Sequence, residues 1–266
     1  CTYTLNTPAS QIAVNRNELQ VRSVEGDLWD QTSLTARFKR LGIRNDFNGG
    51  FECGQEISTP VRTSYTIKVG ALSLNSVPST NLANPNPADA FSGSAYIRSI
   101  THTKSDSLGL FFVDTVQLSR FFELSGGARW DYFDTHFNLY APPTSVPGAV
   151  LTAQIKPLIQ IVAQPTYRAA FVYKPTDHGS VYFDYGTSFN PSAESLSLSV
   201  ATSVLPPEEN ETYEVGAKSN FLNSRLMLDG AWFRTTKLNA RETDPTNSSN
   251  IVLSGNQLVR GVQASA

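Results

Sequence analysis

Apolar and polar residues alternate with period two in many stretches of this chain, the pattern of a strand whose two faces meet different surroundings. Over 181–189 the odd positions are Val181, Phe183, Tyr185, Thr187 and Phe189, and the even ones are Tyr182, Asp184, Gly186 and Ser188. Over 122–132 one face carries Phe122, Leu124, Gly126, Ala128, Trp130 and Tyr132, and the other Glu123, Ser125, Gly127, Arg129 and Asp131. The same alternation runs through 33–39, 167–174, 212–218 and 225–232. Helical periodicity is absent. The pattern predicts an all-β chain of about nine or ten strands, the first over 2–7 and the last one long strand over 251–266.

The connections between these stretches alternate in length. Short turns are expected at 41–42, 119–120, 175–179 and 221–224, and long polar connections at about 54–106, 135–164, 190–210 and 237–250. The long ones carry turn chemistry, as in Asn84-Pro85-Asn86-Pro87-Ala88-Asp89 and Ala141-Pro142-Pro143. A soluble sandwich has no reason to segregate its loops by length. An outer-membrane barrel has short turns on one side and long loops on the other. The faces read as apolar hold almost no charge, which fits lipid contact, and Trp130, Tyr132, Tyr185 and Trp232 near strand ends fit an aromatic girdle.

Composition narrows the class. Charged residues make up only 17% of the 266 and hydrophobic ones 40%; Ser (29), Thr (24) and Asn (18) supply the balance. Aromatics at 11% exclude a disordered polar chain. A net charge of −2 provides no basic footprint for nucleic acid. No apolar run approaches 18 residues, so a transmembrane helix is excluded while a transmembrane barrel is not. The chain opens on Cys1, and its single methionine is Met227. Without a start residue or signal peptide, an internal piece of a longer protein is expected. A lipidated Cys1 is disfavoured because Tyr3-Thr4-Leu5 follows in place of a polar tether. Cys53 pairs with Cys1 only if the fold brings them together.

The wording of the strands resembles a known family. Tyr173-Lys174-Pro175, Gly179-Ser180-Val181-Tyr182 and Tyr185-Gly186-Thr187-Ser188-Phe189-Asn190-Pro191 are similar to TonB-dependent siderophore receptors, as is Pro207-Glu208 with Thr212-Tyr213-Glu214-Val215-Gly216-Ala217-Lys218. Phe233-Arg234-Thr235-Thr236-Lys237-Leu238-Asn239-Ala240-Arg241 resembles a segment of the catecholate-receptor branch, in which threonine is commoner at position 238. Gly126-Gly127-Ala128-Arg129-Trp130-Asp131 and Asn84-Pro85-Asn86-Pro87 with Phe91-Ser92-Gly93 fit the same branch. The matches run from about residue 31 to 262. The resemblance implies a Gram-negative outer-membrane location, a 22-stranded barrel around a plug, and import of a ferric siderophore energised by the TonB–ExbB–ExbD complex. Outer-membrane lipid and lipopolysaccharide would be its surroundings. The chain is expected to be one partial barrel domain over 1–266, without the plug, TonB box or closing strands.

Catalytic chemistry finds no foothold. His102, His136 and His178 lack a second His or Cys at metal-ligand spacing. Asp131 and Asp134 are read as polar wall and loop carboxylates in preference to an acid–base pair. Gly126-Gly127 precedes no helix and is no phosphate loop, and Asn247-Ser248-Ser249 matches a glycosylation pattern that means little in a bacterial protein. Under the resemblance the siderophore holds the iron, so no cofactor or protein metal ligand is implied. An anionic, aromatic ferric catecholate calls for cations and rings at the loop bases, and Arg98, Tyr140, Lys237 and Arg241 are the candidates. The alternative is a secreted soluble β-sandwich that binds carbohydrate through aromatic loops. It would bury the apolar stripe between two sheets.

Overall fold

Alternation of this kind leaves each strand one apolar and one polar face, and antiparallel pairing of neighbours extends both faces across a sheet. The computed structural model describes residues 7–16, 18–40, 42–69, 72–75, 79–88, 93–143, 149–153, 156–193, 196, 198–199, 202–222, 225–243, 245–246 and 251–266. After a 3-10 turn at Ala9–Gln11, the strands are β1 (Ala13–Val14), β2 (Leu19–Arg40), β3 (Ile43–Val69), β4 (Leu72–Asn75), β5 (Thr80–Asn81), β6 (Ser94–Gln117), β7 (Phe122–Ala141), β8 (Thr152–Ala153), β9 (Leu158–Thr176), β10 (Gly179–Asn190), β11 (Glu208–Phe221), β12 (Leu226–Thr243) and β13 (Ile251–Ser265). Nine of these are long, and they form one meander in the order β13-β12-β11-β10-β9-β7-β6-β3-β2, with β4 added to β3 and β8 to β7. Apart from that 3-10 turn the regular structure of the described residues is β, and the long strands pair antiparallel in sequence order. The proposed strand over 2–7, Cys1 and Asn247-Ser248-Ser249 lie outside the described residues, Thr7 excepted.

Among the described residues the short turns at 42, 119–120 and 175–179 fall where sequence places them; Leu41, Asn223 and Ser224 lie outside the described residues. Gly42 sits at φ +81°, a conformation that glycine adopts without the Cβ clash other residues meet, in the turn between β2 and β3. At the β6–β7 turn the Ser119 hydroxyl accepts the Phe121 and Phe122 N–H groups at 3.1 and 3.2 Å. Asp177 and His178 turn β9 into β10.

The long connections need correction. Residues 54–69 and 94–106 are strand, belonging to β3 and β6, and β7 continues to Ala141. A tilted strand spans a membrane in about 9–11 residues, whereas β3 has 27 and β6 has 24. A run such as Arg98-Ser99-Ile100-Thr101-His102-Thr103-Lys104 carries polar residues on both faces and so lacks the period-two signal.

By its internal contacts the chain divides into two units. The first takes in Cys1–Gly26, Ile57–Thr103 and Phe137–Pro157. Within it β1 pairs with β5, Ala13 opposite Asn81 and Val14 opposite Thr80. The Asn-Pro loop is tied by its own side chains: Asn81 Oδ1 accepts the N–H groups of Ala83 and Asn84 at 2.8 and 3.2 Å, and Thr80 Oγ1 accepts that of Asn86 at 2.9 Å. The second unit comprises Asp27–Glu56, Lys104–His136 and Leu158–Ala266. Here β10 and β11 pair without a break from Gly179↔Ser219 to Asn190↔Glu208.

Candidate functional site

The two faces of the second unit differ chemically. Phe171, Phe183, Val215, Trp232 and Val262 stand directly opposite one another on five successive strands. All five are exposed, the first four by 41–45%. Leu34, Phe38, Leu108, Leu110, Phe112, Leu124 and Trp130 are exposed likewise. A sandwich would cover these residues with a second sheet, so their exposure removes the support for that alternative.

The other face is polar and internally bonded. Arg129 on β7 donates from Nε to both Asp131 oxygens at 2.8 and 2.9 Å, and from Nη2 to Asp131 Oδ1 and Glu52 Oε2 at 2.7 Å each. Asp131 is buried, so this fork supplies the charge partner that burial demands. Ser105 and Thr135 bond at 2.8 Å, Thr115 and Ser125 at 3.0 Å, and Thr212 and Thr235 at 3.0 Å. Lys174 Nζ reaches Glu123 at 2.7 Å, and Tyr182 Oη donates to Glu214 at 2.6 Å. A recess of about 390 Å³ opens on this face, lined among others by Trp29, Glu56, Arg129, Phe133 and Phe189. Phe133 and Phe189 meet edge to face at 6.2 Å. The Gln160 side chain accepts the Ala193 N–H at 2.9 Å and fixes the start of the β10–β11 connection onto β9.

The sequence-derived site residues fall on strands, not in loops. Arg98 lies in β6 and Tyr140 in β7, both in the first unit; Lys237 and Arg241 lie in β12, in the second. Arg98 is exposed, and the Tyr140 ring meets His102 edge-on at 5.7 Å. Lys237 and Arg241 are brought together by Glu208, whose Oε1 receives Lys237 Nζ at 3.3 Å and the Arg241 backbone N–H at 3.0 Å. Arg241 Nη2 donates to the Pro206 carbonyl at 2.7 Å. A bulge at 237–241, with Asn239 at φ +54°, creates this turn of the strand. Asp131 and Asp134 separate onto opposite faces, the latter pairing with His136 at 3.0 Å; their odd and even positions in one strand already carried that information. The Arg129–Glu52–Asp131 cluster was not legible, because Glu52 comes from β3, 77 positions before Arg129. Cys53 is an exposed free thiol. Among the described residues no group of three or more His, Cys, Asp or Glu is placed to hold a metal.

The family described as TonB dependent receptor-like, beta-barrel, matches residues 3–266. The chain belongs to this family. Its apolar face is therefore the lipid face of a TonB-dependent receptor barrel, its polar face the lumenal one, and its location the Gram-negative outer membrane. The TonB-dependent siderophore receptor PiuA of Acinetobacter baumannii is 28% identical over 242 residues, covering 84% of this chain and 31% of PiuA. The catecholate siderophore receptor Fiu of Escherichia coli O157:H7 is 28% identical over 226 residues, 78% of this chain and 29% of Fiu. The crystal structure of PiuA matches at a TM-score of 0.76 and 25% identity, over 92% of this chain and 36% of that one. The closed form of Fiu from E. coli K12 matches in fold at 0.75 and 23%, over 98% and 38%. The chain thus spans about a third of the length of the relatives it matches. Those relatives are named as siderophore receptors, and the Fiu structure as that of a ferric-catecholate import receptor.

Proposed function

We propose that this TonB-dependent receptor chain serves uptake of a ferric siderophore of the catecholate kind, energised through the TonB–ExbB–ExbD complex. The siderophore is the cargo and holds the iron; the barrel segment supplies wall and rim. The observation that carries the reading is the division of the sheet into an exposed apolar face and a hydrogen-bonded polar face, on a chain whose relatives include two named siderophore receptors. Outer-membrane lipid and lipopolysaccharide would be the partners of the apolar face.

Arg98 and Tyr140 in the first unit, and Lys237 and Arg241 in the second, are each proposed as ligand contacts. Lys237 and Arg241 are supported by their convergence beside the β10–β11 connection, where Glu208 braces both. Glu208 offsets one of the two cations, leaving a net positive charge for an anionic aromatic complex. A charge-assisted contact contributes about 1.5–3 kcal/mol where water is excluded, which corresponds to roughly a ten- to hundredfold change in affinity. The test is titration of the full-length receptor carrying Lys237→Ala or Arg241→Ala with ferric catecholate at two salt concentrations. Weaker binding at low salt is expected in both variants. Unchanged affinity in both would leave the pair as a brace for the connection and remove it from the ligand site.

A further inference from the structure

We infer that Arg234 and Arg260 form a seat on the lipid face for the phosphate monoester of a membrane lipid headgroup. This rests on the membrane reading above. The register sets Tyr185, Tyr213, Arg234 and Arg260 side by side on β10, β11, β12 and β13. Two residues nearer the short turns, the same strands carry Phe183, Val215, Trp232 and Val262, an unbroken apolar row. Both arginines are exposed. Their shared face is fixed from behind, since the next pair, Phe233 and Gly261, points the other way, and the Phe233 ring occupies the space a Gly261 side chain would take.

Two arginines directly opposite each other repel. A cation on the lipid face is costly at the midplane and far less so near the interface. An anion between them at headgroup level would relieve both penalties. The depth agrees: Arg234 is eight residues beyond Leu226, the turn end of β12, or roughly 26 Å along a strand at about 3.3 Å per residue. A tilt of about 35–45° makes that roughly 20 Å of height against an apolar band of about 25 Å. The row therefore lies near the edge of the band on the side of the long connections. Glu211, the acidic residue of the next row away from the short turns, opposite Thr187 and Thr236, is already engaged, its Oε1 accepting Tyr185 Oη at 3.2 Å and Tyr213 Oη at 2.8 Å. Tyrosine rings beside guanidinium forks suit the interface and a multiply bonded phosphate. Two cations match the up to two negative charges of a monoester; in a zwitterionic lipid the ammonium would offset the phosphate.

The test reconstitutes the full-length receptor in phosphatidylcholine nanodiscs containing phosphatidic acid, a phosphate monoester, or phosphatidylglycerol, a diester. Lipids retained on release are counted by native mass spectrometry. The receptor is expected to prefer phosphatidic acid over phosphatidylcholine by about tenfold, and Arg234→Gln/Arg260→Gln to lose that preference. Single variants, each keeping one cation, should lose a few-fold and serve if the double variant does not fold. Millimolar inorganic phosphate should not displace the lipid. An unchanged preference in folded variants overturns the inference, as does displacement by inorganic phosphate, which would mark an adventitious anion site. Failure of the receptor to enter nanodiscs at all would instead overturn the membrane reading.

Discussion

Gly126 and Gly127 stand side by side in β7, and sterics treat them differently. A Cβ on Gly127 would come within 2.5 Å of the Phe112 carbonyl oxygen and 3.1 Å of Val113 Cα, both backbone atoms of β6 that cannot swing aside. A Cβ on Gly126 would find nothing closer than the Arg168 carbonyl oxygen at 4.0 Å. Gly127 alone is therefore the packing device for the β6–β7 approach. Gly127→Ala should destabilise by about 1–3 kcal/mol, the usual cost of overpacking, while Gly126→Ala should be close to neutral. Denaturant unfolding of the full receptor in detergent, followed by heat-modifiable gel mobility, separates the two. Equal effects would contradict the steric assignment.

At the scale of the same single residues, Arg129 is the cation whose removal leaves most behind. Without it Glu52 and Asp131 would face each other with no counter-charge, and Asp131 is buried. Loss of one partner from a fully buried pair costs about 3–5 kcal/mol; the Arg129 side chain is 36% exposed, so solvent screening lowers the expectation for Arg129→Met to about 1–3 kcal/mol. The double change Arg129→Met/Asp131→Asn should recover part of that loss. A cycle in which the double variant is no more stable than the sum of the singles would argue against the coupling.

Strand by strand, legibility in the sequence followed the environment. The segment 181–189 was legible as strand because one face meets lipid and the other the lumen, so apolar and polar residues had to alternate. The sequence pattern places Arg98, Lys237 and Arg241 at loop bases because the outer parts of β6 and β12 carry polar residues on both faces, or a bulge, and no alternation survives. The same physics hid Arg234 and Arg260, whose positions belong to the apolar face by parity although their chemistry does not. The Glu52–Arg129 pair depended on which strands are neighbours, and a period-two pattern carries no information about partners. A substitution in β10 tests the face assignment. Phe183 shares its row with Trp232, six residues beyond Leu226, roughly 15 Å into a band of about 25 Å. Phe183→Lys should therefore cost about 2–4 kcal/mol. Asp184→Asn, on the lumenal face, should cost far less; comparable losses in the same unfolding assay would undo the assignment.

For the molecule as a whole, the lipid face and the lumenal face make opposite demands on solvent, and this can be read out without knowing the ligand. In a barrel, Val181, Phe183 and Val215 face acyl chains while Asp184, Thr212 and Thr235 line an aqueous or plug-filled lumen. In a sandwich the first set would be sealed between sheets and the second would face bulk water. Nitroxide labels placed singly at these six positions of the full-length receptor in bilayers distinguish the cases. Labels at 181, 183 and 215 should relax readily with molecular oxygen, which concentrates in lipid, and poorly with a water-soluble nickel chelate. Labels at 184, 212 and 235 should not show the oxygen preference. The alternation should persist along β10 and β11 from the turn until about residue 187 on one strand and 211 on the other, where Thr187 stands opposite Glu211, and fade beyond. Loss of oxygen access at 183 and 215 together would mean that another protein surface covers them, and the assignment of this face to lipid would fall.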